Sequence, residues 1–300
     1  MKQKNKAILY IILSAFFFAF MNLFVRLSGD LPSFQKCFFR NFMAIFFALA
    51  VILKNKESFR WKKGNLKFLL LRSSFGTLGI ICNFYAIDHI PLADASILNK
   101  MSPFFVIIFS LIFLKERLTF LQGSAVFIAF IGALFIIKPS FQNVDLFPSA
   151  IGLIGGMCAG VAYTVVRVLG NRKENGSVIV LFFSVFSCLV TLPYLIIDFH
   201  SMEWWQLLML LGAGASAAGG QFTITAAYCY APAREISVYD YSQIIFATLL
   251  GVVFLAEMPD MYSFVGYVVI FSMSLLMFLY NNNKWFFKNR GQAHALSKKK

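Results

Sequence analysis

Residues Phe84–Thr119 read FYAIDHIPLADASILNKMSPFFVIIFSLIFLKERLT. A break at Ile90-Pro91 leads into an apolar stretch that closes on the charged triplet Lys115-Glu116-Arg117. A helix of this length and hydropathy crosses the roughly 30 Å hydrocarbon core of a bilayer. Its middle nevertheless holds Asn99, Lys100 and Pro103, residues that hydrocarbon does not favour. A second stretch, SVYDYSQIIFATLLGVVFLAEMPD at Ser237–Asp260, follows the same plan. At a constant offset of 141 residues, Ile90-Pro91 falls on Ala231-Pro232, Gly79 on Gly220, Asn99 on Asp240 and Glu116 on Glu257. The chain is a duplication, and its period sets how the rest is divided.

On either side of these blocks, short charged or turn-forming breaks divide the chain into ten apolar segments in all. They lie at about 7–27, 33–53, 66–90, 93–114, 118–138, 148–170, 177–197, 204–230, 233–256 and 261–281. The expected fold is all-α: a polytopic membrane protein with ten transmembrane helices in two five-helix repeats, 1–140 and 141–283, followed by a basic tail at 284–300. Because five is odd, the second repeat enters the membrane the opposite way up, an arrangement typical of secondary transporters. Composition agrees, since 59% of residues are apolar and only 13% charged, against about a quarter charged in a soluble domain. A water-soluble enzyme is thereby nearly excluded.

The formal charge of +14 has a topological explanation. Alternate connections and the two termini hold 20 Lys and Arg, and the other side holds only Arg26, Lys36 and Lys138. Both termini are expected in the cytoplasm, with the chain in the cell inner membrane. The basic residues read as an orientation signal and a contact for anionic lipid headgroups, and no nucleic-acid partner is expected.

The Phe84–Thr119 block and its second copy at Ser237–Asp260 resemble the drug/metabolite transporter superfamily, specifically its EamA-type ten-helix carriers. The likeness covers residues 7–281. The Tyr239-Asp240-Tyr241-Ser242-Gln243 run and the Glu257-Met258-Pro259 ending are most similar to members described as riboflavin or S-adenosylmethionine carriers. The second half departs from the pattern at Ile244, where the first has Pro103. The resemblance implies a carrier of small organic solutes whose cavity is lined by spans one, three, four, six, eight and nine.

Ionisable side chains inside spans are costly and mark pairs or pathways. Arg40, Arg72, Lys100, Arg167 and Asp240 lie inside these segments. At 1.5 Å per residue, Arg40 and Lys100 start roughly 10 Å from one surface, and Arg72 and Asp240 roughly 10 Å from the other. Arg72 and Asp240 are therefore expected either as an ion pair or as a substrate or coupling site, with proton or counter-solute exchange at Asp240. Arg40 and Lys100 either pair with Asp88 and Asp94 or bind an anionic group of the solute. Arg167, nearer a surface, is expected to snorkel. Asn83, Asn99, Tyr163, Gln221, Tyr239, Tyr241 and Gln243 complete the candidate substrate-binding set, with interhelical hydrogen bonding as the alternative role for each.

Gly152, Gly156 and Gly160 form one small-residue stripe and Gly212, Ser216 and Gly220 another, serving either close packing or a surface on which the halves slide. Pro103 and Pro193 are expected to kink their helices. Five scattered Cys, without C-x-x-C spacing, support neither a disulfide framework nor a metal centre. Phosphate loops and nucleophile elbows are lacking, so no enzymatic activity and no cofactor are expected. The reading is a secondary transporter of a small polar organic metabolite, such as S-adenosylmethionine, riboflavin or an amino-acid-like solute, as a monomer or homodimer. The alternative is a lipid flippase or a membrane-embedded structural partner.

Overall fold

Each apolar run becomes a helix that ends where charges or turn residues interrupt it. The computed structural model describes residues 2–113, 120–137, 146–231, 236, 239–273, 275–276 and 279–280, and among these every regular element is helical. The helices are α1 (Lys2–Leu27), α2 (Ser33–Asn55), α3 (Leu66–His89), α4 (Leu92–Asn99), α5 (Ser102–Phe113), α6 (Phe120–Ile137), α7 (Leu146–Asn171), α8 (Gly176–Ile197), α9 (Trp204–Tyr230), α10 (Ser242–Leu255) and α11 (Met261–Met273). Six of them, α1, α2, α3, α7, α8 and α9, are individually long and apolar enough to cross a membrane. The protein is a polytopic, all-helical membrane protein. The expected basic tail at 284–300 and the Lys115-Glu116-Arg117 triplet lie outside the described residues.

Two of the expected spans are discontinuous. The fourth stops at Asn99, turns through Lys100 and Met101, and resumes as α5 at Ser102. The ninth is helical at Tyr239 and Asp240, turns at Tyr241, and resumes as α10 at Ser242. Lys100 and Tyr241 are themselves 141 residues apart, so the two interruptions are one feature of the repeat. Pro103 was expected to kink a continuous helix; it sits instead in the first turn of α5, just past the break. There its fixed φ suits a helix start and its missing N–H has no intrahelical partner to lose. Ile244 stands at the equivalent place beyond the second break, so proline is not required for the interruption. Pro193 lies inside α8, as expected.

Packing is unchanged when the helices of one half are exchanged for those of the other. α1 lies on α9 as α7 lies on α3, α1 on α10 as α7 on α5, and α2 on α9 as α8 on α3, with α2 against α8. The correspondence extends to single hydrogen bonds. Arg26 Nη1 donates to the carbonyl of Ile87, and Arg167 Nη1 donates to the carbonyl of Tyr228 at 3.1 Å. Both donor and acceptor are displaced by 141 residues, and the two bonds lie at opposite faces of the bundle. Arg167 thus closes the carbonyl end of α9, whereas the sequence suggested only snorkelling.

The glycine stripe on α7 is the bed of the first break. A Cβ at Gly156 would stand 2.5 Å from the Leu98 carbonyl oxygen, and one at Gly160 would stand 2.5 Å from the Phe105 Cβ. On α9, a Cβ at Gly220 would meet the Phe18 ring at 2.6 Å. Gly123 on α6, by contrast, has nothing within 4 Å of such an atom. Gly156→Ala is therefore expected to lower the apparent unfolding temperature of the purified protein, through overpacking that costs about 1–3 kcal/mol. Gly123→Ala should leave it unchanged or raise it, by up to about 1 kcal/mol of helix propensity. Thermal unfolding of both variants in detergent checks the contrast; equal behaviour would mean the break does not rest on the stripe.

Candidate functional site

Beside the two breaks lies an internal cavity of about 50 Å³. Eight of the residues singled out from the sequence line it. Arg40 reaches it from α2, Arg72 and Asn83 from α3, and Asn99 and Lys100 from the first break. Tyr163 of α7, Gln221 of α9 and Gln243 of α10 complete the set. Tyr239, Asp240 and Tyr241 are not part of the wall, although Asp240 stands directly behind Lys100.

The pairing of charges differs from the expected one. Asp240 accepts from Lys100 Nζ at 2.7 Å, with both side chains shut away from solvent. Arg72 is not its partner: Nη2 donates to Gln221 Oε1 at 2.7 Å, and the guanidinium lies over the Phe183 ring, 3.6 Å from its centroid. Counted along the helix axes at about 1.5 Å per residue, the Cα atoms of Lys100 and Asp240 stand at different levels. Long flexible stems let Lys and Arg heads act well away from their own Cα. A lysine at an interrupted turn can therefore reach a carboxylate on a facing span.

Arg40 is not the partner of Asp88 or Asp94 either. Asp88 accepts from Lys36 Nζ at 2.5 Å, and Asp94 accepts from the Tyr267 hydroxyl at 2.7 Å. Arg40 is fully buried and donates through Nη1 to Asn41 Oδ1, while Asn41 donates to the Cys37 carbonyl and to Ser187 Oγ, each at 2.9 Å. Among the described residues its Nε and Nη2 have no acceptor, nor do Nε and Nη1 of Arg72. The Arg40 guanidinium lies 5.6 Å from the same Phe183 centroid, so one aromatic face serves two cations.

Several wall residues escaped the sequence reading. Asn22 donates to Ser96 Oγ and accepts from Asn83 Nδ2, both at 3.4 Å. Its position is the repeat counterpart of Tyr163, a signal present in the sequence. Phe183, Phe18 and Met21 carry no such mark, since 37 phenylalanines make any one of them anonymous. At the bundle face holding the α1–α2 connection, Glu257 joins three elements. It accepts from Arg26 Nη2 at 3.0 Å and from the Leu92 backbone N–H at 2.7 Å, while Arg26 reaches the end of α3.

The sequence profile of the EamA-like transporter family matches residues 5–138 and 147–279. The pseudopaline exporter CntI of Pseudomonas aeruginosa is 34% identical over 271 residues, spanning 89% of this chain and 93% of that one. An uncharacterized transporter of Helicobacter pylori is 28% identical over 277 residues, covering 90% and 93%. Solute carrier family 35 member G1 of Mus musculus is 27% identical over 271 residues, covering 86% and 74%. One solved crystal structure superposes with a TM-score of 0.71 at 16% identity, over 93% of this chain and 98% of that one, a likeness of fold alone.

Breaking a buried ion pair by removing one partner leaves an uncompensated charge, at a cost of about 3–5 kcal/mol, whereas replacing both partners with apolar groups of similar size is often neutral. Asp240→Asn and Lys100→Met should each lower the apparent unfolding temperature sharply. The double variant Lys100→Met/Asp240→Leu should recover most of the loss. A double variant no better than either single one would show that the two side chains are not coupled.

Proposed function

The chain belongs to the EamA-like transporter family, and from that premise we propose that it is a secondary carrier moving a small polar organic metabolite across the cytoplasmic membrane by alternating access. The observation that carries this reading is the pair Arg40 and Arg72 in the cavity wall, buried beside the two interrupted spans and without a carboxylate partner among the described residues. Intramembrane charge without a structural partner marks a solute pathway. Discontinuous helices at the repeat interface are where secondary carriers place their substrate. The cavity, about 50 Å³ in the conformation described, widens in this reading as the halves part to admit a solute. The cluster of Arg26, Glu257 and the Leu92 N–H is suited to holding one face shut in the conformation described.

The excess of basic residues at alternate connections supports an inner-membrane placement with both termini in the cytoplasm. Of the solutes suggested by sequence, an amino-acid-like solute carrying negative charge suits the wall better than riboflavin or the cationic S-adenosylmethionine, because among the described residues Lys100 has a carboxylate partner while Arg40 and Arg72 have none. Asp240 belongs to the coupling step if solute binding draws Lys100 away from it, since the two side chains are each other's ion-pair partner.

Protein reconstituted in sealed vesicles is expected to move a polar metabolite down an imposed gradient. Lys100→Gln is expected to reduce that flux at least tenfold while leaving vesicle integrity unchanged. Lipid scrambling in the absence of solute flux would favour the flippase reading. An Asp240→Asn variant with full flux and unaltered pH dependence would remove Asp240 from coupling.

A further inference from the structure

Fixed charge in the cavity does not balance. Lys100 is neutralised by Asp240, but among the described residues neither Arg40 nor Arg72 has a carboxylate within ion-pair distance. Arginine stays protonated in proteins, so the wall retains two positive charges in a medium where isolated charge is expensive. Both side chains are at least 98% buried. Neither the Gln221 carbonyl nor the Phe183 face supplies a negative charge.

The pattern of unused donors is more specific than the charge. On Arg40 the free nitrogens are Nε and Nη2, which form one edge of the guanidinium and present two parallel N–H groups at the spacing of two carboxylate oxygens. Arg72 has its Nε and Nη1 free, with Nη2 held by Gln221. The same wall has unused acceptors as well, Asn83 Oδ1 and Gln243 Oε1, which call for N–H or O–H donors on the bound molecule. We propose that this cavity recognises a dicarboxylate bearing an amino or hydroxyl group, with one carboxylate seated on the Nε–Nη2 edge of Arg40 and the second neutralising Arg72. The assignment rests on the carrier reading for its biological meaning, but the binding can be tested without transport.

Apparent unfolding temperature of the purified, intact protein at fixed ionic strength is the first measurement, because a ligand of the folded state raises it by mass action. Probes are succinate, aspartate, butyrate, glycerol phosphate and putrescine. Aspartate and succinate should stabilise the protein, butyrate much less, and putrescine not at all. Arg40→Gln should weaken aspartate binding roughly 10- to 100-fold, the range for a lost charge-assisted hydrogen-bond pair. The same variant should unfold at an equal or higher temperature than the parent when no ligand is added, since it removes a buried cation lacking a partner. Arg40→Lys, which keeps the charge and loses the fork, should fall between the two in aspartate affinity.

Equal stabilisation by butyrate or putrescine, stabilisation by glycerol phosphate alone, no effect of any dicarboxylate, or unchanged aspartate binding in Arg40→Gln would each overturn the proposal. Vesicle flux separates it from the carrier reading. Dicarboxylate binding with no flux of any solute would sink the carrier and keep the site. Flux confined to neutral or cationic solutes would keep the carrier and sink the site.

Discussion

Lys100 and Asp240 meet at 2.7 Å in a part of the molecule that water does not reach, and each lies at an interruption of a membrane-crossing helix. Hydrocarbon tolerates neither an open backbone nor an isolated charge, so irregular chain at this depth survives only when buried in protein. The salt bridge meets both demands. It joins the residue that caps α4 to the last helical residue before the Tyr241 turn, and it lets a lysine and an aspartate neutralise each other. The glycines of α7 serve the same end from behind, since only their lack of side chains lets the turned backbone of the first break lie flush against a helix. The cavity lies beside both breaks, which contribute Asn99, Lys100 and Gln243 to a wall supplied otherwise by the long helices around them.

Much of this was written in the sequence. Charges and turn residues fixed where helices end, the 141-residue offset fixed the repeat, and eight of the candidate residues face one cavity. What could not be read was the partner of each charge. Counting residues along a helix gives the level of a Cα, and it put Arg72 with Asp240. A lysine or arginine acts at the end of a long stem, and a turn such as Lys100-Met101 re-aims that stem in a direction no helical period predicts. Phe183 was invisible for another reason: its importance lies in being the surface shared by Arg40 and Arg72, a relation between three helices that leaves no pattern along any one of them. Asn22 and the Arg26–Arg167 correspondence are legible in the 141-residue offset, which sets Asn22 on Tyr163 and Arg26 on Arg167.

Scaffold and chemistry use the repeat in opposite ways. Helix pairing, both interruptions and the arginine contacts to Ile87 and Tyr228 recur in each half. The cavity charges do not: the counterparts of Arg40 and Arg72 are Leu181 and Ala213, and that of Gln221 is Ile80. Residues that keep the duplication carry the architecture. Those that depart from it give the cavity its charge.

The matched bonds from Arg26 and Arg167 bear on the energy of motion. Both are formed in the one conformation described, one at the end of each matching helix, so each half ties its first span to its third by a bond that its twin also makes. A carrier that alternates, as proposed, would open one such contact while keeping its twin, a difference that a few kcal/mol of ligand binding can tip either way.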